Sequence, residues 1–296
     1  LVKDSLKKGA FGRKQKEEGL ALVGKQASLI IFPKDNGDQN EFQGLNGNAG
    51  FREAFNLVKR DGKTTYQYKE HCKGFLRRFP LKNDKKTMCI GKYSIKFKMI
   101  LESIISSTGL VFVYIPYIAE ARTFALMLEQ NGFNRFFSDR DQKNFHNLLD
   151  RSNIPDIQKI DFNGKPIKKS KNQASYLLLT GETFKNKGGK MIGKYFNDIK
   201  NKFGRKIKVV IGTDVIKEGL SFMRVRELHV TAPWFHLNRI EQIIGRGIRF
   251  CSHADLNETN RNITIFLHSA TIPNVTQETN KMIESFVDPS KDPWKF

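Results

Sequence analysis

The stretch from Ile211 to His253, IGTDVIKEGLSFMRVRELHVTAPWFHLNRIEQIIGRGIRFCSH, decides how this chain is read. It contains Gln242-Ile243-Ile244-Gly245-Arg246-Gly247-Ile248-Arg249, a Q-x-x-G-R-x-x-R run, downstream of Gly212-Thr213-Asp214 and Lys217-Glu218-Gly219. On a helix, spacings of four and three put Gln242, Arg246 and Arg249 on one face. Ile243, Ile244 and Ile248 then lie mostly off that face and can anchor the helix. Two guanidiniums a turn apart suit a terminal phosphate, because each carries a permanent charge and a rigid fork of donors. An isolated arginine pair would read as a solvated surface helix. Here it comes with a glutamine, two glycines and an upstream strand, loop and helix in order, and the phosphate reading is the stronger.

Outward from that stretch, strands and helices alternate. YSIKFKMILESIISS sets Ile95, Phe97, Ile100, Leu101 and Ile104 at helical spacing. LVFVYIP is strand-like, and AEARTFALMLEQNGF is helical up to a glycine stop at Gly132. SYLLLTG, KIKVVIGT, RELHVTAP and RNITIFLHSA read as further strands, with helices over KMIGKYFNDIKNKFG and HLNRIEQIIGRGIRF. Each strand is a nearly continuous apolar run, which predicts an α/β fold: a parallel sheet with helices on both faces. Functional residues then belong at the carboxyl ends of the strands, where Tyr114, Thr180, Thr213 and Ala232 to Trp234 fall.

Before Lys92 the pattern is weaker. LKKGAFGRKQKEEGLALVGKQ is basic and helical in parts, SLIIFPKD reads as a short strand ending at Pro33, and DNGDQNEFQGLNGNAG is a loop by composition. Residues 139–174 are polar and lysine-rich, an insertion or long loop. The domain plan is a less regular basic linking region over 1–91, one α/β domain over 92–270 and a tail over 271–296. No internal repeat is visible.

Composition bounds the partners. The 296 residues carry 51 Lys+Arg against 30 Asp+Glu, a net charge of +21, with 39% hydrophobic residues and 24 Phe to build a core. So basic a chain attracts polyanions, nucleic acid first among them. An AT-rich genome, which enriches Lys, Asn, Ile and Phe, accounts for part of that charge. Cys72, Cys89 and Cys251 are too few and scattered for a disulfide frame or a zinc ribbon. No signal peptide or membrane span is legible, and the expected location is cytoplasmic. The chain opens on Leu1 rather than Met and is read as a piece of a longer protein.

The Gln242–Arg249 run, with Asp214 on a loop ahead of it, resembles motifs VI and V of superfamily 2 helicases, carried by the second of their two RecA-like lobes. The resemblance implies catalytic roles for Gln242, Arg246 and Arg249, with the arginines reaching across a cleft to the phosphates of ATP. It places Asp214, Gly219 and Gly245 beside the nucleotide. Thr213 would donate its hydroxyl and amide to a nucleic-acid phosphate, and Asp214 would accept from a ribose hydroxyl or steady an arginine. Asp214 is equally a good N-cap for the VIKEGL segment after it, and both roles can hold. Gly109 to Phe133 resembles motif IV, with Tyr114 or the turn after it against the nucleic-acid backbone. Thr180-Gly181 resembles the short motif between IV and V, where backbone amides approach a phosphate; a simple turn explains the pair nearly as well. No metal ligands are assigned on this chain, since Mg²⁺ and most of the ATP contacts would belong to the first lobe.

Two phosphate-loop look-alikes are set aside. Gly19 to Lys25 has the G-x-x-x-x-G-K spacing, but Gln26 stands where Ser or Thr would hold Mg²⁺, and a strand rather than a helix is expected next. Gly62-Lys63-Thr64 lacks the leading glycine, Leu57 standing in its place. No D-E-x-H occurs, so the piece alone is expected to hydrolyse nothing. The fuller wording, VIKEGLSFMRVRELHVTAPWFHLNRIEQ followed by IIGRGIRFCSHADL, is similar to a group of large DNA virus helicases. That group includes the poxvirus early transcription factor small subunit, the poxvirus nucleoside triphosphate phosphohydrolase, and asfarvirus, giant-virus and killer-plasmid proteins. It implies an ATP-dependent helicase or translocase acting in viral transcription, partnered by nucleic acid (DNA before RNA), by its own first lobe and by RNA polymerase. The rival readings are a non-catalytic module binding nucleic acid or polymerase, and a duplex translocase that separates no strands.

Overall fold

A computed structural model describes residues 22, 24–34, 46–60, 62–80, 88–136, 146–154, 157–181, 189–214, 219–232 and 237–270. Lys217, Glu218 and Trp234, and the tail over 271–296, lie outside them. In chain order the elements are α1 (Gly47–Ala54), β1 (Phe55–Arg60), β2 (Lys63–Tyr68), α2 (Ile95–Ser106), β3 (Leu110–Tyr114), α3 (Ile118–Gln130) and β4 (Asn134–Arg135). Next come β5 (Lys159–Ile160), β6 (Pro166–Ile167), β7 (Ser175–Leu179), β8 (Val209–Gly212), β9 (Val225–Val230), α4 (Leu237–Gly247) and β10 (Thr264–Leu267).

The central sheet has six strands in the order β10-β9-β3-β8-β7-β4, all parallel. Alternation along each strand sorts its side chains into two cores. Val111, Val113, Leu178, Val209 and Ile211 face α2 and α3 through Phe97, Ile100, Leu101, Phe124 and Leu128. Leu110, Phe112, Leu177, Leu179 and Val210 face the other way, onto Met191, Phe196, Phe222 and Ile243 of α4. Phe112 and Phe222 bring their ring centroids to 4.5 Å. The predicted α/β fold with helices on both faces is what the chain adopts.

Local chemistry sets the helix ends. Ser94 caps α2, its Oγ accepting from the Phe97 amide at 3.0 Å. α3 stops at Gly132, whose φ of +94° suits glycine, and a Cβ there would meet the Gln158 carbonyl oxygen at 2.3 Å.

Four sequence expectations differ from the structure. Ser28 to Pro33 forms no strand; Leu29, Ile30 and Phe32 are buried, and the segment is tied to the start of α2 by Ile31 N–H to Tyr93 O (3.1 Å) and by the Ser94 hydroxyl to Leu29 O (2.5 Å). The glycine- and asparagine-rich stretch read as a loop turns helical at Gly47, because α1 buries Gly50, Phe51 and Ala54 and packs on α3. Tertiary burial there outweighs the helix penalty of about 1 kcal/mol per glycine. The helix expected over KMIGKYFNDIKNKFG is broken into a short α turn, a π turn over Ile192–Phe196 and a 3₁₀ turn over Ile199–Asn201. Asp198 and Asn201 turn their side chains onto nearby backbone, Asp198 onto Lys200 N–H and Asn201 onto Lys206 and Ile207 N–H and two carbonyls. Finally α4 ends at Gly247, so Arg249 stands beyond the helix expected to present it.

The described part of the polar stretch 139–174 is tied to the body. Glu129 of α3, fully buried, accepts from the Leu148 and Leu149 amides at 2.9 and 2.6 Å and from the Tyr176 hydroxyl at 2.5 Å. Leu148 O in turn accepts from Tyr66 N–H at 2.7 Å, adding this segment to the β1–β2 hairpin. Burial pushes the Glu129 carboxyl up, against the pull of its donors.

Candidate nucleotide and nucleic-acid site

The carboxyl ends of β7, β8, β3 and β9 lie side by side, which brings Thr180, Thr213–Asp214, Tyr114 and Thr231 into one row. The ends are laced by short bonds. Thr231 donates its amide and hydroxyl to Tyr114 O at 3.1 and 2.9 Å, and Thr213 donates its amide and hydroxyl to Leu179 O at 3.1 and 3.2 Å. Thr213 is buried, and both donors expected to meet a phosphate are thus turned to Leu179. Thr180 is buried and Gly181 half-buried at the end of the same row.

Above the row sits a cluster from three elements. The Tyr114 hydroxyl at the end of β3 donates to Asp214 Oδ1 just after β8. Arg239, in the first turn of α4, holds both Asp214 oxygens at 2.6 Å and reaches the Tyr114 hydroxyl at 3.3 Å. Burial, reinforced by the Asp214 carboxylate, raises the Tyr114 phenol well above its ordinary value, so it stays a donor. Tyr114 is 2% exposed, and the turn after it, at Pro116 and Tyr117, is more open. Asp214 is thus paired with Arg239, an arginine outside the Gln242–Arg249 run.

Sequence reasoning misses Arg239, although a signal for it was present. It lies three residues before Gln242 and seven before Arg246, on the same helical stripe. The opposite stripe of α4 buries Ile240, Ile243 and Gly247, while Ile244 is half-buried and Ile248 exposed. A Cβ on Gly247 would come within 3.2 Å of Leu228 and 3.4 Å of Ile263, so the glycine lets α4 settle on β9. That seating turns Gln242 and Gly245 outward and leaves Arg246 half-buried.

Arg246 is held against the loop after β8. Its Nη1 donates to Leu220 O at 3.3 Å, and its carbonyl accepts from Phe222 N–H at 2.8 Å. Gly219, on that loop, has φ +73°, and neither it nor Gly245 has a described atom within 4 Å of where a Cβ would stand. Arg249 is exposed in the turn after α4, its amide on Ser252 Oγ at 3.3 Å. Of the residues assigned catalytic roles, Gln242 and Arg246 share the helix, and Arg249 comes from a separate turn.

Two further groups border the cluster. Glu120, 0% exposed in the first turn of α3, lies by the Gly47 amide at the start of α1; burial pushes its carboxyl up to about 7. Lys25, from the discarded phosphate-loop look-alike, stands near Arg239, and burial together with that guanidinium lowers its ammonium. Residues 24–27 are helical, so a following strand is no ground for discarding that loop. The missing Ser or Thr is: Gln26 directs its side chain at Gly47.

A parallel α/β sheet whose carboxyl row is topped by an arginine-bearing helix defines a RecA-like lobe. The chain is similar in sequence to helicases of large DNA viruses. An ATP-dependent RNA helicase, by name, of Acanthamoeba polyphaga mimivirus is 34% identical over 191 residues, 63% of this chain and 27% of its own length. A helicase of the Kluyveromyces lactis killer plasmid pGKL-2 is 34% identical over 100 residues, 34% of this chain and 16% of its own. An early transcription factor large subunit homolog of African swine fever virus is 36% identical over 86 residues, 29% of this chain and 8% of its own. The subunit in that name is the large one. The chain therefore spans about a quarter or less of the length of these relatives. No family model matches the chain. Among the described residues no helix is long and apolar enough to cross a membrane, and no three His, Cys, Asp or Glu gather as metal ligands.

Proposed function

We propose that the chain is the second RecA-like lobe of an ATP-dependent superfamily 2 helicase or translocase that works in viral transcription, in the cytoplasm or virion. Residues 92–270 form the lobe, residues 1–91 link it to the first lobe, and RNA polymerase is a partner of the whole. The observation that carries this is the joining of Arg246 to the Gly219–Leu220 loop, beside the Arg239–Asp214 pair, on one pole of a parallel sheet. The donor set fits a polyphosphate: guanidinium forks, an outward glutamine, and two glycines with space above them.

Bound between the lobes, ATP with Mg²⁺ supplies a γ-phosphoryl group that gathers negative charge as it transfers. Arg246 and Arg249 meet that charge chiefly as it develops, and an arginine so placed is worth on the order of 10³ to 10⁵ in rate. Gln242, one turn ahead of Arg246 on α4, faces the same phosphates, and Asp214, Gly219 and Gly245 shape the floor. At the carboxyl row, Gly181 and the turn after Tyr114 lie against the nucleic-acid backbone, with Thr180 and Thr213 buried at the strand ends. Closure of the lobes brings the arginines in and opening withdraws them, coupling hydrolysis to movement along a strand. The relatives' names include RNA helicases, and DNA is kept here as the preferred strand because of the early transcription factor among them. The test is ATP turnover by the full-length protein with and without single-stranded DNA or RNA. Turnover that neither strand stimulates would leave only a binding module.

A further inference from the structure

We propose a second contact for single-stranded nucleic acid at the amino pole of the sheet, away from the row of Tyr114, Thr180 and Asp214; this rests on the nucleic-acid reading above. The sequence around Lys194 to Lys208 is dense in lysine with aromatics between, and the fold lays these side chains into a strip. Phe136, just beyond edge strand β4, meets Tyr195 with ring centroids at 5.2 Å. Lys194 and Lys206 stand over the Tyr195 ring at 5.1 and 5.9 Å. Arg205, next in the chain to Lys206, stands over Phe162 at 5.6 Å, and Lys202 over Phe203 at 5.2 Å.

The position is fixed by the strand starts. Ser175, the first residue of β7, donates to Lys206 O, and Lys208, one residue before β8, donates from Nζ to Ser107 O at 2.8 Å and to Phe162 O at 2.5 Å. The strip thus runs along the amino ends of β7 and β8, toward edge strand β4.

Charge and shape both fit a nucleic-acid strand. Asp198 is taken up by Lys206 at 3.2 Å and by its own turn, and Asp161 by the amides of Asn163 and Lys165. Lys194, Lys202 and Arg205 make no ion pair among the described residues, and Lys194 and Arg205 are exposed. Phe203 is 41% exposed, which leaves its ring open to a stacking partner. Cations beside aromatic faces are the pairing that a strand needs, phosphates to the ammoniums and guanidinium, bases to the rings. An acidic protein would use the charges and leave the rings idle.

The test is equilibrium binding of a labelled single-stranded oligonucleotide to the full-length protein across a salt series. Combined Lys194→Glu, Lys202→Glu and Arg205→Glu should weaken binding at least tenfold at low salt. The slope of log affinity against log salt should fall by about 0.7 for each phosphate no longer held. Phe203→Ser should weaken binding severalfold with the slope unchanged, since stacking releases no counterion. Lys194→Gln, Lys202→Gln and Arg205→Gln, a milder set, guards against misfolding and should fall in between. Wild-type affinity and slope in folded charge-reversed protein would overturn this second contact alone. Loss of binding to polyglutamate with oligonucleotide binding intact would overturn it in favour of an acidic protein. A wild-type protein that binds no oligonucleotide even at low salt would overturn both this contact and the reading it rests on.

Discussion

The Arg239 guanidinium holds both carboxylate oxygens of Asp214 at 2.6 Å, and the same carboxylate takes the Tyr114 hydroxyl. One carboxylate therefore ties the ends of β8 and β3 to the first turn of α4, the helix that carries Arg246. Whatever shifts the strand ends is felt at α4 through this bond, which is 21% exposed on the arginine side and 48% on the aspartate side. So exposed a pair contributes only about 0.2–1 kcal/mol to stability, and its value is positional.

Breaking that tie should uncouple the two ends of the site. In the full-length protein, Asp214→Ala or Arg239→Gln should leave some basal ATP turnover and abolish most of its stimulation by nucleic acid. Turnover with and without saturating oligonucleotide measures this; stimulation that persists at the wild-type level would dissociate the pair from coupling. Thr213→Ala, which removes the hydroxyl bond to the Leu179 carbonyl and leaves the amide bond in place, should disturb coupling in the same direction.

Arg246→Ala or Arg249→Ala should lower kcat by two or more orders of magnitude with a smaller change in KM, because such a group acts on charge present chiefly in the transition state. Lysine at either position should rescue poorly, since it brings the charge without the planar fork. A folded Arg246→Ala protein with wild-type kcat would return the arginine to a structural role on the Leu220 carbonyl.

The Glu120 carboxyl, held up to about 7, makes stability fall as pH rises. Its folded value lies above the ordinary 4.5, so the folded state binds the extra proton between those values, and the stability it lends below 4.5 is lost as pH passes 7. Glu120→Gln should therefore gain stability relative to wild type at pH 8 and not at pH 4. Urea midpoints at the two pH values decide it, and an equal difference at both would show that the carboxyl does not titrate there.

Glu129→Ala should cost on the order of 2–5 kcal/mol, because it strands the buried Leu148 and Leu149 amides and the Tyr176 hydroxyl together. Glu129→Gln, which keeps one acceptor, should cost less. The melting temperature and protease sensitivity near residue 148 report both; an unaffected Glu129→Ala protein would mean that water replaces the carboxylate.

Affinity for nucleic acid should fall steeply between low and moderate salt with little sequence preference, as the net charge of +21 implies. Binding that ignores salt would place the contact on the aromatic side chains instead.

The alternation of apolar strands with amphipathic helices was enough to read the parallel sheet, because a strand buried on both faces needs a continuous apolar run wherever it sits. The spacing of Gln242, Gly245 and Arg246 was equally legible, since it depends on one helix alone. What resisted reading was every choice settled by a distant neighbour. Gly47 to Ala54 is helical because α3 offers it a surface, and Ile31 is pinned by Tyr93, so neither arises from local propensity. The end of α4 at Gly247 detaches Arg249 from a face that spacing alone assigned to it. Which arginine meets Asp214, where the Thr213 donors turn, and how Lys194, Tyr195 and Arg205 come to share a strip with Phe136 and Phe162 were decided by tertiary structure. Periodicity records which side of an element is buried; the partner met there depends on contacts between residues far apart in the chain, which no local pattern encodes.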